Sequence, residues 1–204
     1  MTRGLIPAGV NPVIGGLVTA GVDEAGRGAL AGPVVAAAVI LTTETESLDL
    51  VDSKQLNEKK RDAVFKDLQK ATPHIGIGIV SHYKIDKINI LNASLLAMKK
   101  AVLKLSEKPE LVLIDGNRVP QMEDYNLKAV VKGDQTIRAV SAASIAAKVV
   151  RDHIMRALHN KYPGYDFIGN KGYATAGHYA SIFKNGLSPV HRLSFNLTRQ
   201  EMLF

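Results

Sequence analysis

Residues 21–28 read GVDEAGRG, an apolar approach that runs into two neighbouring carboxylates, Asp23 and Glu24, and then into a glycine-rich loop around Arg27. Leu17–Asp23 has the β-rich character of a buried strand. Val34–Leu41 repeats it, and the glycines and Pro33 between the two runs punctuate like a hairpin connection. The two runs are expected to pair in one sheet. Adjacent acids at the end of such a strand need something to hold.

His74–Val80 alternates Ile75, Ile77 and Ile79 with small or polar residues, the period of a third strand, and turns Gly76 and Gly78 to the other face. Asn57 can cap a charged helix reaching about Lys70. Leu91, Leu95, Met98, Val102 and Leu105 recur at helical steps, the stripe of an amphipathic core helix that ends before Pro109. Leu111–Ile114 and Leu127–Val131 are further apolar runs, leading into Asp115-Gly116 and into Lys132-Gly133-Asp134. From Ser141 to His159, small alanines alternate with Ile145, Val149 and Ile154, which suits a helix packed closely on a sheet. Tyr162-Pro163-Gly164 stops it, and Thr175 caps a last helix ending near Asn185-Gly186. The class is α/β, and no repeat or linker divides the chain.

A chain of 204 residues can bury roughly 70% of its unfolded surface, so one domain over 1–204 needs no disulfide to hold it. Cysteine is absent, which excludes disulfides, thiolate nucleophiles and cysteine-ligated zinc and suits a reducing compartment. MTRGLIPAGVNPVIGGLV is broken by Pro7, Asn11 and Pro12 well short of a signal segment or membrane span. A tail over about 1–16, a cytoplasmic location and no membrane partner are the expectations. The formal net charge of +7 suits a polyanionic partner, although charge alone does not select nucleic acid.

Asp23, Glu24, Asp115 and Asp134 each follow an apolar run, and in open α/β sheets binding sites collect where strands end. Taken singly, an Asp-Gly after a strand is by default a turn. The repetition is what suggests convergence. Two carboxylates about 4 Å apart repel by roughly 4 kcal/mol at an effective dielectric near 20, so four together call for a cation. Hard oxygen ligands without cysteine or a His-x-x-x-His pair point to Mg²⁺ or Mn²⁺. With a basic chain and a polyanionic substrate, the natural chemistry is phosphodiester hydrolysis by two metals roughly 4 Å apart.

GVDEAGRG at 21–28, DSKQL at 52–56, LIDGN at 113–117, VVKGD at 130–134, SAASIAAKVVRD at 141–152 and KGYATAGH at 171–178 together resemble ribonuclease HII, the type 2 ribonuclease H family. The resemblance extends from about residue 17 to Phe195. It implies the ribonuclease H-like fold, a mixed five-stranded sheet flanked by helices, with a C-terminal helical extension over about 160–204. It also implies a divalent-metal-dependent endoribonuclease that cleaves the RNA strand of RNA–DNA hybrids. Such an enzyme incises ribonucleotide-containing duplex DNA 5′ of a single ribonucleotide, leaving 3′-hydroxyl and 5′-phosphate ends.

By motif match Asp23, Glu24 and Asp115 look like metal ligands and Asp134 like the fourth catalytic acid. Gly26, Arg27 and Gly28 match the loop that senses the ribose 2′-hydroxyl, and Tyr173 matches the tyrosine that packs on the deoxyribose at the 3′ side. Lys54, Lys148 and Lys171 are candidate phosphate contacts, with solvated lysine as the default. Asp152 reads as an ion-pair residue beside Arg151. The stretch His191-Arg192-x-Ser-Phe195 resembles the family's C-terminal pattern and is expected to pack.

About twenty residues precede the first strand, which favours ribonuclease HII over its sibling ribonuclease HIII with an added N-terminal domain. A monomer is expected, and a replication-clamp contact is left open. The terminal NLTRQEMLF reads as a frayed helix, with a docking tail as the alternative. A non-catalytic hybrid-binding module and a small-molecule metal hydrolase are the competing readings.

Overall fold

The computed structural model describes residues 13–14, 16–50 and 56–197. Lys54, most of DSKQL and the end of the C-terminal tail lie outside the described residues. Strand β1 (Val13–Ile14) pairs onto the start of β2 (Leu17–Ala25), the strand that carries the two acids. Next come β3 (Val34–Ile40), helix α1 (Glu58–Ala71), β4 (Ile75–Val80), helix α2 (His82–Val102), β5 (Leu111–Asp115) and β6 (Leu127–Val130). Helices α3 (Gly133–Thr136), α4 (Arg138–Lys161), α5 (Phe167–Asn170) and α6 (Ala176–Asn185) are the remaining α-helices among the described residues.

The sheet order is β4-β3-β2-β5-β6. β2 and β3 are antiparallel, joined by the short connection through Pro33, and β4 is antiparallel to β3, whereas β5 and β6 run parallel to β2 and to each other. This is the mixed five-stranded sheet flanked by helices that the motifs imply. Side chains alternate between faces along a strand, and β3 shows it cleanly. Val34, Ala36, Ala38 and Ile40 join Ala20, Val22 and the α2 residues Ala97 and Ala101 on one side. Ala37 and Val39 join Ala25 and the α4 residues Ala142, Ala143 and Ala146 on the other.

Strand glycines let the helices lie close. A Cβ on Gly21 would stand 2.1 Å from the Ala139 carbonyl carbon in α4, and one on Gly78 would stand 1.9 Å from the Ala97 carbonyl oxygen in α2. Helix α4 therefore rests on bare β2 backbone, which brings its inner face to the strand's acidic end.

Capping follows the sequence closely. Asn57 accepts from the Lys60 amide and Thr175 from the His178 amide. The long helix after β4 differs from expectation: it starts at His82 and is broken at Asn89, whose φ of 62° is left-handed. Asn89 Oδ1 accepts from the Asn92 amide at 3.0 Å, so the expected stripe beginning at Leu91 is a second helix with its own cap. No described helix is long and apolar enough to cross a membrane.

Candidate active site

In the parallel register of β2 and β5, Val22 stands opposite Ile114. Asp23 and Asp115 each follow that pair by one residue, so they leave neighbouring strands on the same face, the one toward α4. Glu24 leaves the opposite face of β2. All three still line one cavity of about 490 Å³, because it wraps over the strand ends.

Asp134 lines the same cavity, by a different route from the one its spacing suggests. β6 ends at Val130, Lys132 turns through a left-handed φ of 58°, and Asp134 sits in the one-turn helix α3. That helix is tied back to β5: the Gly133 amide donates to Asp115 Oδ1 at 2.8 Å. The turn buries Asp134 almost completely, at 5% exposure.

Gly26, Arg27, Gly28, Lys148 and Tyr173 complete the expected lining, and Arg61 and Ser144 join them. Arg61 comes from α1 and Ser144 from the alanine-rich face of α4. Ser144 is the second of the two serines in the alanine-rich SAASIAAK, and that polar position was the signal for it. Arg61 carried none, being one of several basic residues on a charged helix. Lys171 is not among the lining residues; its Nζ lies 3.1 Å from Glu58 Oε2, tying its loop to α1. Asp152 is buried and ion-paired, 2.9 Å from Lys148 Nζ and 3.8 Å from Arg61 Nη2.

The charges are unevenly matched. Glu24 pairs with Arg27 at 3.2 Å, yet burial still raises its carboxyl above the usual range. Asp23 accepts from the Glu24 amide at 2.6 Å and from the Ser144 hydroxyl. Burial, and then the charges of Glu24 and Asp115, nevertheless push it up to about 8. A buried carboxyl that its surroundings leave so poorly balanced fits a hard cation, and the donor set is all oxygen. Among the described residues no three acidic or imidazole groups are drawn together as a ready-made cage. All four acids nevertheless line the one cavity.

Behind the cavity, residues 26–33 are clasped between two other segments. Ala29 bridges Tyr173, and Ala31 bridges His191. The C-terminal HRLSF stretch, expected only to pack, supplies buried polar groups to this junction. Ser188 N–H donates to His191 Nδ1 at 2.9 Å, which leaves Nε2–H of His191 to donate to His178 Nε2 at 3.1 Å. His178 Nδ1–H then donates to the Tyr173 carbonyl at 2.9 Å, so both rings are neutral links in one chain.

Burial, and then the neighbouring His178, push the His191 imidazole down to about 4. A histidine depressed in the fold contributes stability that is complete above its unfolded value of 6.5 and is lost as pH falls toward 4. The melting temperature of the parent should therefore fall more between pH 7 and pH 4.5 than that of His191→Gln. Equal losses would remove His191 from the pH response.

A mixed sheet with carboxylates leaving two adjacent parallel strands, under a helix that closes on bare strand backbone, defines the ribonuclease H-like class of nucleases. Within that class the sequence is decisive: the family model for ribonuclease HII matches residues 20–198, and the chain belongs to that family. It is 50% identical over 181 residues to the ribonuclease HII of Bacteroides fragilis, covering 89% of this chain and 90% of the relative. The ribonuclease H2 of Pyrococcus horikoshii superposes with a TM-score of 0.73 at 27% identity, covering 88% of this chain and 94% of that one. The RNase HII of Archaeoglobus fulgidus, solved in complex with PCNA, gives 0.75 at 26% identity, covering 89% and 97%. The chain is thus an endoribonuclease of the ribonuclease H type, and the family's activity is cleavage of the RNA strand in RNA–DNA hybrids.

Proposed function

We propose that this cavity also incises duplex DNA on the 5′ side of a single embedded ribonucleotide, leaving 3′-hydroxyl and 5′-phosphate ends. Gly28 is the observation that carries the reading. A Cβ there would meet nothing within 4 Å, and its φ lies outside the left-handed region, so the chain's own folding does not demand glycine. It lines the cavity beside the acids. A missing side chain that the fold does not need leaves room for a sugar to approach the backbone, where main-chain groups can bond a 2′-hydroxyl.

Asp23, Glu24, Asp115 and Asp134 would hold two divalent cations, Mg²⁺ or Mn²⁺. Bound there, the cations supply activated water and offset charge on the leaving oxygen. Ser144 and the Glu24 amide orient the Asp23 carboxylate by hydrogen bonds. Arg27 holds Glu24, while Lys148 and Arg61 set positive charge along the path of a phosphate backbone. In the balanced reaction the water oxygen joins phosphorus, the bond from phosphorus to the 3′ oxygen breaks, and that oxygen takes a proton.

Tyr173 would lay its ring on the deoxyribose following the ribonucleotide. The Arg151 guanidinium carbon lies 5.1 Å and Lys148 Nζ 5.9 Å from the ring centroid, contacts that hold the ring in place. The net charge of +7 supports a polyanionic duplex as substrate.

Gly28→Ala tests the reading. Cleavage at a single ribonucleotide should fall at least tenfold while the melting temperature is unchanged, since the methyl enters open space on the protein side. Parental cleavage by Gly28→Ala would mean that the sugar does not approach there.

A further inference from the structure

Arg192 is fully buried, and what it grips is the loop beside the acids. Its Nη2 donates to the Gly26 carbonyl at 2.7 Å, Nη1 to the Arg27 carbonyl at 2.9 Å, and Nε to the Gly32 carbonyl at 3.0 Å. The Phe195 ring lies 5.0 Å from the guanidinium carbon, closing one face. The main chain reinforces the grip: the Arg192 amide donates to the Leu30 carbonyl at 2.8 Å and the Gly32 amide to the Val190 carbonyl at 2.9 Å. From the other side Arg151 donates to the carbonyls of Pro33, Ala31 and Lys171. A Cβ on Gly26, whose φ is +95°, would stand 2.0 Å from Arg151 Nε.

The planarity of the peptide bond turns this grip into a statement about the cavity. In a trans peptide the C=O of one residue and the N–H of the next point in opposite directions. Arg192 draws the Gly26 and Arg27 carbonyls inward, so the amides of Arg27 and Gly28 point outward, away from the buried guanidinium. Among the described residues neither amide has a hydrogen-bond acceptor, and both residues line the cavity. Two successive outward N–H groups form a small concavity suited to an oxygen atom. Burying a guanidinium against carbonyl dipoles costs desolvation that an apolar residue would avoid. The planar fork of arginine donors spans three carbonyls, a pattern that a lysine ammonium cannot reproduce.

We propose that Arg192 is a positioning residue for ribonucleotide specificity: by fixing both peptide planes it presents the Arg27 and Gly28 amides to the ribose 2′-oxygen. The proposal rests on the reading that Gly26–Gly28 sense that hydroxyl. It gives the C-terminal segment a part in choosing the cut site, although it touches neither substrate nor metal.

Arg192→Lys keeps the charge and loses the fork. With Mg²⁺ and duplex DNA carrying one ribonucleotide, at a temperature where circular dichroism shows it folded, its kcat should fall at least tenfold. KM and the affinity for Mn²⁺ alone should stay within about twofold of the parent. A purely structural role would lower the melting temperature and leave kcat per folded molecule unchanged, which would overturn the proposal. If the parent itself does not cut at the ribonucleotide, the underlying reading fails; if the parent cuts and folded Arg192→Lys matches it, the role of Arg192 alone fails. Should Arg192→Lys not fold, the parent in EDTA decides. Its Arg27 and Gly28 amide protons should exchange more slowly with ribonucleotide-containing duplex than with all-DNA duplex, and equal exchange would contradict the proposal.

Discussion

Asp23→Asn is expected to lower strand cleavage on the order of a thousandfold, about 4 kcal/mol in the barrier, while leaving the fold intact or firmer. Asp23 shares the α4-facing side of the strand ends with Asp115, it is 7% exposed, and Ser144 and the Glu24 amide aim its oxygens. Asn keeps the shape and removes the charge that would bind a cation. The same charge, buried beside Glu24 and Asp115, burdens the metal-free fold. In EDTA the melting temperature of Asp23→Asn should equal or exceed that of the parent. A variant that lost activity through unfolding would show the opposite, so steady-state cleavage and a thermal melt together separate the two causes.

Gly21→Ala should lower stability and activity together. Its Cβ would meet the Ala139 carbonyl carbon at 2.1 Å and the Val140 nitrogen at 2.2 Å, and main-chain atoms of a helix cannot rotate out of the way. Either β2 or α4 must shift as a unit. Overpacking of this kind costs about 3 kcal/mol. The displacement would also carry Ser144 and Lys148 away from Asp23, so activity should fall with stability even in the folded fraction. Denaturant melts give the first quantity and cleavage by the folded protein the second. A parental unfolding midpoint would show that α4 is not held against bare strand backbone.

Much of this arrangement is written locally in the chain. The alternation in β3 and β4, the caps at Asn57 and Thr175, and the acids after Val22 and Ile114 depend on residues close in sequence. Local pattern therefore exposes them. Asp134 was legible as an acid near a strand end, but not as part of a one-turn helix, because a single left-handed residue at Lys132 redirects the chain. The break at Asn89 escaped for the same reason.

Long-range polar contacts left no periodic trace. Lys171 meets Glu58 across 113 positions, and Arg192 reaches the Gly26 carbonyl across 166. Neither partner could be named before the fold was known. The stretch HRLSF could be matched as a motif, yet only the structure brings its arginine beneath the loop that begins at Gly26.

Cleavage of a duplex DNA carrying one ribonucleotide, mapped at nucleotide resolution with Mg²⁺, with Mn²⁺ and with EDTA, tests the central claim most directly. The parent should yield a single cut 5′ of the ribonucleotide, with 3′-hydroxyl and 5′-phosphate ends, only when a divalent cation is present. Cutting that persists in EDTA, or that falls elsewhere on the duplex, would contradict a metal-dependent site built from Asp23, Glu24, Asp115 and Asp134 and read by Gly26–Gly28.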